Sequence, residues 1–314
     1  MRKWIRITCW VCVLTASAGA ETVSPDLNSL ALYAGGSIWL GAKTTADADI
    51  AAVGLISTGD KAELRGLYTE DKIWLNKNNK INGRVLANLQ AESGNNLEFT
   101  GPSWTGKSVY LGSNANVTGN IIAGDGNLEL NSRANVTGNL YGNDDIWIGN
   151  RGTISGNAQP GIGGNLDTGR RVEIGGITDP AVANYDTVSL GSMGPAPSPD
   201  PYGSENITGG KNAVVDLAAG AYRNVDLWGT QTNLNLSAGT YTLRDVWIGN
   251  KGVVNVDTTA GDVVLDVHKN FSVGNEVKFN LIGDGHLTLN VFENDVTLGK
   301  EVDLNAQIRA WDGN

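Results

Sequence analysis

The sequence contains few residues suited to catalysis or metal binding. Its two histidines, His268 and His286, lie 18 residues apart. In a chain that repeats with that period, they could stack one coil apart and share a metal ion. No Cys or His ligand motif accompanies them, so we expect isolated surface histidines, no metal site and no cofactor.

Acidic residues are the other candidates for chemistry. Asp47 and Asp49 form one cluster, Asp144 and Asp145 form a second, and Asp245 repeats the context of Asp145. Such clusters, often with calcium and a basic residue, carry catalysis in polysaccharide lyases and hydrolases built on repetitive β-folds. Carboxylates at strand starts and corners also serve turn formation alone. We therefore expect no catalytic residues, with a polysaccharide lyase or hydrolase as the alternative.

Aromatic residues recur at a regular spacing that would suit binding. Trp39, Trp74, Tyr110 and Trp147 are separated by 35, 36 and 37 residues, and Trp247 lies in a segment equivalent to that of Trp147. An exposed row of rings would offer a flat platform to sugar rings or to a protein partner. The competing interpretation, that a linker or loops cover the rings, stays open.

The first twenty residues predict a signal peptide. Three basic residues precede a short apolar stretch, which ends in the small residues Ala18, Gly19 and Ala20. The stretch is shorter than the roughly 20 residues of a membrane span. We expect cleavage after Ala20 and an exported protein, secreted or held in the periplasm or at the cell surface, with no membrane span after cleavage. Both cysteines fall inside this segment, so no disulfide framework is expected.

The charge balance is acidic and bears on the partners. The formal net charge is −10, and removal of the signal peptide leaves 20 basic against 33 acidic residues. Nucleic acids and anionic membranes both require a positive surface. The composition therefore argues against either as a partner.

A repeat of about 18 residues must position these side chains. Four segments align without gaps, residues 72–85, 108–121, 127–140 and 145–158, and residues 37–50 fit the same frame loosely. Degenerate copies lie near Gly54 and Gln90. The second and fourth frame positions are apolar, as in a strand with one buried face. The aromatic residues occupy the third position, which therefore faces outward.

Small and polar residues fill the corners of the frame. The fifth position is Gly or Asn, which predicts a positive φ there, and the twelfth is Gly in all four gapless copies. The thirteenth position holds Asn120, Asn139 and Asn157. Stacking of successive copies predicts a ladder in which these three side-chain amides hydrogen-bond along the long axis.

These patterns predict an all-β fold, a parallel β-helix or solenoid with a coil of about 18 residues in its first block. The right-handed form is favoured over a left-handed hexapeptide helix. The predicted organisation is a signal peptide (1–20), a first β-helix block (21–158), a Pro- and Gly-rich linker or excursion (159–212) and a second block (213–314). Stacking of the second block on the first stays open.

Two resemblances accompany the repeat. The coils at residues 117–121 and 136–140, with the strand around Trp147, make residues 70–158 resemble bactofilins, which are polymer-forming β-helical scaffolds of bacteria. This resemblance implies self-association by coil stacking. The segments at residues 236–241 and 245–249 make residues 213–314 similar to β-helical regions of pilus-associated and surface proteins.

Together these observations predict an exported structural or adhesive surface protein. Its outer aromatic face would bind a polysaccharide or a surface protein. A glycan-active enzyme and a secreted bactofilin-like polymer are the alternatives.

Overall fold

The computed structural model describes residues 22–23, 30–46, 48–182, 184–190, 198–293, 296–304 and 306–311. Within these residues the chain is a parallel β-solenoid of about 14 turns without a helix, which confirms the predicted fold class. Since the described part of the chain holds no helix, none spans a membrane. Each coil has three sides, and strands on the same side of neighbouring coils pair in parallel; on side 1 they form two sheets, of eight and five strands.

Side 1 carries the strands that begin the repeat frame. They are β3 (Ile38–Leu40), β5 (Ile56–Thr58), β8 (Ile73–Leu75), β11 (Gln90–Ser93), β13 (Ser108–Leu111), β15 (Leu128–Leu130), β18 (Ile146–Ile148), β20 (Leu166–Thr168), β23 (Asn206–Thr208), β26 (Asn224–Leu227), β29 (Asp245–Ile248), β32 (Phe271–Val273) and β35 (Val296–Leu298).

Side 2 follows the first corner of each coil. Its strands are β6 (Glu63–Leu64), β9 (Lys80–Ile81), β16 (Asn135–Thr137), β24 (Val214–Leu217), β27 (Asn233–Ser237), β30 (Val253–Asp257) and β33 (Lys278–Ile282), with the first parts of β12 (Glu98–Gly106), β14 (Asn116–Ala123), β19 (Thr153–Gln159) and β21 (Glu173–Ile177).

Side 3 completes each coil with the later parts of those four long strands and with shorter ones. These are β2 (Leu30–Ala34), β4 (Asp49–Ala52), β7 (Leu67–Thr69), β10 (Val85–Ala87), β17 (Leu140–Gly142), β25 (Gly220–Ala221), β28 (Gly239–Leu243), β31 (Val263–Val267), β34 (Leu287–Val291) and β36 (Gln307–Ala310). Outside the coils, β1 (Thr22–Val23) pairs with β22 (Thr187–Val188).

The interior is one continuous apolar core that runs through both blocks. Alternation within each short strand turns the second and fourth frame positions inward, and Ile146 and Ile148 are both fully buried. The degenerate copies also form coils, since β5 and β11 lie in register between β3, β8 and β13.

The positive φ of the first corner lies at the seventh frame position, and the expectation for the fifth position was wrong. Gly112, at the fifth position, instead lies so close to the coil below that a Cβ would approach the carbonyl carbon of Gly94 to 2.4 Å. The seventh-position residues have φ near 60° in coil after coil: Lys43, Lys61, Asn78, Asn96, Asn114, Arg133, Arg151, Arg171, Asn212, Gln231, Lys251, Glu276 and Glu301.

The second block stacks on the beginning of the first block. Strand β36 pairs in parallel with β2, in the register Leu32 with Ile308 and Ala34 with Ala310. The last coil of the chain therefore lies against its first coil. We call this junction the seam. The two ends of the solenoid are the coil of β20 and β21 and the coil of β23 to β25.

Regular coils extend to Ile177, inside the stretch predicted as linker. The coil of β20 and β21 keeps the frame, but Thr168 replaces the apolar residue at its fourth position and Thr178 the one at its fourteenth, which obscures the pattern. Residues 178–205 join the two blocks, and the coils that precede and follow them lie at opposite ends of the solenoid.

Residues 186–190 of this connecting segment lie against the outer surface of side 3. Asp186 forms an ion pair with Arg84. Asn88 donates to the carbonyl of Val188 and accepts from its amide, both at 2.7 Å. The apolar side chains of the segment cover Tyr33 and Tyr68, and burial raises the pKa of both phenols.

Candidate binding face

The aromatic residues predicted to face outward form one column on side 1. Strand pairing places a polar residue between each pair of consecutive rings, so that aromatic and polar side chains alternate from coil to coil. In register, the column reads Trp39, Ser57, Trp74, Glu92, Tyr110, Glu129, Trp147 and Asp167. We call it the aromatic row. Coils are about 4.8 Å apart, so its rings recur at about 10 Å.

Most of these rings are open to solvent. Trp39 is 59% exposed, Trp74 is 53% exposed and Trp147 is 40% exposed. Tyr110 is partly buried, and its hydroxyl accepts a hydrogen bond from Nδ2 of Asn131 at 2.5 Å. The contacts of residues 186–190 of the connecting segment are with side 3 and not with this row.

A shallow groove lies between two members of the row. It has a volume of about 510 Å³ and is lined by Trp74 and Tyr110, with Glu92 between them. Asn76, Lys77, Asn95 and other polar residues form its edge. The groove therefore combines two ring faces with hydrogen-bonding groups, which is the arrangement that recognises sugar rings.

The second block carries a shorter version of the same column. Thr208, Asp226, Trp247, Ser272 and Thr297 occupy equivalent positions on side 1. Trp247 is 48% exposed and lines a second groove of about 500 Å³, together with Asp226, Asp245 and Asn270. Trp39 lies at the seam beside β35, where a cleft of about 240 Å³ opens between the blocks.

The three predicted ladder residues lie one above another between sides 2 and 3. Their hydrogen bonds join a side chain to the backbone, because the Asn120 side-chain oxygen accepts from the amide of Asn139 at 3.0 Å. The Asn139 oxygen likewise accepts from the amide of Asn157 at 2.8 Å. Neighbouring Gly138 has φ +156° and no room for a Cβ, which explains the Gly at the twelfth position.

Two side-chain amide ladders occur elsewhere, and sequence reasoning missed them. Asn78, Asn96 and Asn114 are linked through their side chains at 2.8 and 3.0 Å on the first corner. In the second block, Asn235, Asn255 and Asn280 are linked at 2.8 and 3.0 Å. Spacings of 18, 20 and 25 residues between Asn residues were the available signal.

The candidate catalytic carboxylates serve coil-to-coil contacts. Asp49 accepts from the amide of Gly66 at 2.9 Å. Asp145 accepts from the amide of Asn165 at 2.7 Å, and Asp245 accepts from Nδ2 of Asn270 at 2.9 Å. Asp144 is exposed at the neighbouring turn, and Asp47 lies outside the described residues.

The two histidines lie in neighbouring coils but at opposite ends of their strands. His286 precedes β34, whereas His268 follows β31, and the register places His268 beside Phe292. The Nε2 atom of His268 lies 2.9 Å from the carbonyl oxygen of Asp200, and its ring packs edge-on against Tyr202. Across the described ranges, no cluster of three or more His, Cys, Asp or Glu could hold a metal ion.

A family model described as a domain of unknown function (DUF7305) matches residues 192–310. The match ends at the last residue of β36 and includes Trp247, but it excludes the aromatic row of the first block. No curated protein and no solved structure matches the chain.

Proposed function

We propose that the protein is an exported surface protein that binds polysaccharide through the aromatic row. The observation that carries this proposal is the recurrence of an aromatic ring at every second coil of one face, with Trp39, Trp74 and Trp147 exposed. Glu92 and Glu129 lie between the rings and supply acceptors for sugar hydroxyls. Flat rings with flanking carboxylates suit a linear polymer that runs along the solenoid.

Folding alone gives no reason for tryptophan at these positions. An outward strand residue gains little from burial, and exposed tryptophan leaves a large apolar surface in water. Ser57, Glu92, Glu129 and Asp167 occupy the same column in the other coils, so the fold accepts polar residues there. The recurrence of rings is therefore better explained by contact with a partner.

Export is part of the proposal and is supported by the signal peptide that the sequence predicts at residues 1–20. The similarity of the second block to β-helical regions of pilus-associated and surface proteins supports a location outside the cell. Neither support depends on the aromatic row, so export and binding are tested separately.

The test is binding of the mature chain to a panel of neutral and acidic polysaccharides. The test variant is Trp74→Ala with Trp147→Ala, and the matched control is Trp228→Ala, an exposed tryptophan (67%) outside the row. Each ring at a true contact contributes about 1 kcal/mol or more. The double variant should therefore bind about thirtyfold more weakly, whereas the control should bind like the wild type.

Equal binding by the wild type and the double variant would contradict the role of the row. Release of reducing or unsaturated sugars by the wild type would favour the polysaccharide lyase or hydrolase. Export is checked by fractionation of the native host.

A second candidate is a bactofilin-like polymer, and the ends of the solenoid favour it. Ile177, in the column of the buried Ala158, is 68% exposed at one end, and Val215, in the column of the buried Leu234, is only partly buried at the other. In the described part of the chain, no helix caps the strand edges at either end. Concentration-dependent filaments in negative-stain microscopy would support this candidate, and a monodisperse monomer at all concentrations would contradict it.

A further inference from the structure

Four arginines gather on the first corner at the β20–β21 end of the solenoid. Arg133, Arg151 and Arg171 occupy the seventh frame position in three successive coils, and Arg170 precedes Arg171. All four side chains are exposed. With Ser113, Asn114, Ser132 and Asn150, they line a concave surface of about 530 Å³. We call it the arginine corner.

The backbone fixes the spacing of this corner. The amide of Arg133 donates to the carbonyl of Asn150, and the amide of Arg151 donates to the carbonyl of Arg170, both at 2.8 Å. The amide of Arg170 donates to the side-chain oxygen of Asn150 at 2.7 Å. The arginine Cα atoms therefore repeat at the coil spacing of about 4.8 Å on a rigid support.

The fold does not require arginine at this position. A φ near 60° favours Asn over residues with long side chains, and the three preceding coils use Asn78, Asn96 and Asn114. Like charges in adjacent coils also repel one another. Three consecutive arginines therefore disfavour the folded state relative to asparagine, which calls for a reason outside folding.

Charge pairing distinguishes this cluster from two of the other three cations at the seventh position; the third, Lys61, has no ion pair among the described residues either. Elsewhere at the seventh position, Lys43 pairs with Glu301 across the seam, and Lys251 pairs with Glu276. None of the four arginines forms an ion pair with a carboxylate among the described residues. In a chain of net charge −10, the corner concentrates free positive charge at one site.

We propose that the arginine corner binds the carboxylate or sulfate groups of an acidic polysaccharide. This inference rests on the proposed function for the choice of a sugar polymer. Guanidinium groups bind such anions through paired hydrogen bonds, and the flanking Ser and Asn side chains provide donors for sugar oxygens. Trp147 lies in the coil of Arg151, so one polymer would contact both.

The neighbouring carboxylates favour a polymer of moderate charge density. Glu129, Asp167 and Glu173 lie in the same coils as the arginines. Duplex DNA carries one charge about every 1.7 Å, so its phosphates would approach these carboxylates. A polysaccharide with one anionic group per sugar places fewer charges near them.

The experiment measures binding of the mature chain to polygalacturonate, dextran sulfate, unmodified dextran and duplex DNA at low and physiological salt. The test variant replaces Arg133, Arg151 and Arg171 with Asn, the residue the fold itself uses in three coils. The charge-matched control replaces Lys43, Lys61 and Lys251 with Asn at the same corner position. Circular dichroism checks that both variants are folded.

We expect the wild type to bind polygalacturonate or dextran sulfate, with an affinity that falls with salt. The carboxylated and the sulfated polymer show which anion is preferred. The arginine variant should bind at least tenfold more weakly, and the lysine variant should stay within about threefold of the wild type. Equal losses in both variants, equally tight binding of DNA, or no binding of either acidic polymer would overturn the inference.

The aromatic variant keeps the two proposals apart. If Trp74→Ala with Trp147→Ala binds every polymer like the wild type while the arginine variant loses the acidic ones, the proposed function fails and the arginine corner stands. If the wild type binds only neutral polysaccharide and the aromatic variant loses it, the proposed function stands and the arginine corner is refuted.

Discussion

The packing of the seam can be tested with one substitution made at two places in the same column. Ala34, Ala52 and Ala310 lie in register on side 3 and point into the core. Ala310 and Ala34 line the cleft of about 240 Å³ between the blocks. Ala52 is fully buried between the closely stacked strands β2 and β7. A larger side chain would therefore have free volume at position 310 and none at position 52.

We predict that Ala310→Val stabilises the protein and that Ala52→Val destabilises it. Valine adds two methyl groups, and each contributes about 0.8 kcal/mol when fully buried. The gain at the seam is therefore at most about 1.5 kcal/mol, and about 1 kcal/mol if the cleft shields the methyl groups only in part. Overpacking at Ala52 should cost about 1 to 3 kcal/mol.

The assay is urea denaturation followed by circular dichroism. The midpoint urea concentrations are compared once the m-value, the dependence of the unfolding free energy on urea, is shown to be the same in the variants and the wild type. The two variants should shift the midpoint in opposite directions. A loss of stability in Ala310→Val equal to that in Ala52→Val would show that the seam is packed as tightly as any other pair of coils. The cleft would then offer no space for the added methyl groups, and the reasoning from its volume would be refuted.

Three further predictions concern the coils themselves. Ile148→Asp buries an unpaired charge and should destabilise the protein by more than about 4 kcal/mol in denaturation experiments; unchanged stability would contradict the register. The buried Tyr241 hydroxyl bonds three backbone groups, so Tyr241→Phe should cost about 1 to 3 kcal/mol, whereas Tyr222→Phe, which removes one solvent-exposed hydrogen bond to the carbonyl of Ala218, should cost less. Hydrogen bonds from the Thr259 hydroxyl and amide lower the pKa of Asp257, so this turn is stabilised above pH of about 4 and loses that contribution as pH falls through the lowered pKa. An NMR titration should show the pKa rising in Thr259→Val, and an unchanged pKa would count against these bonds.

The solenoid was predictable because every coil buries apolar residues at the same frame positions. Apolar residues at the second and fourth frame positions, such as Ile146 and Ile148, specify a short strand with one buried face. The third position then had to face outward, and the structure exposes Trp74 and Trp147 there. Alternation within a strand has a strict period of two, so these directions follow once one strand is aligned.

The first corner was harder to predict because two kinds of constraint select similar residues. Gly112 at the fifth position is needed for close approach to the coil below, whereas Asn114 at the seventh adopts positive φ. Sequence reasoning assigned the positive φ to the wrong one of these positions. The arginine corner was missed for the same reason, since Arg133, Arg151 and Arg171 share a place that the frame did not single out.

The order of the blocks could not be read from the repeat. Every coil presents the same apolar column and the same row of backbone groups to its neighbour, so the edge of β2 accepts β36 as readily as another coil of similar shape. The period specifies how coils stack, but it does not specify which edges meet. Contacts of residues distant in sequence, such as Ala34 with Ala310, carry that information.

The connecting segment has a physical role that follows from this order. Pairing of Ala34 with Ala310 closes a loop of 276 residues, whereas most neighbouring coils close loops of 17 to 25. The free-energy cost of loop closure grows with the logarithm of loop length, so closing the longer loop costs about 2 kcal/mol more. Attachment of the segment through Asn88 and Val188 and through Arg84 and Asp186 divides that loop into shorter ones. By holding the return path against side 3, the segment reduces the entropic cost of closing the seam, so its contacts stabilise a junction that lies several coils away.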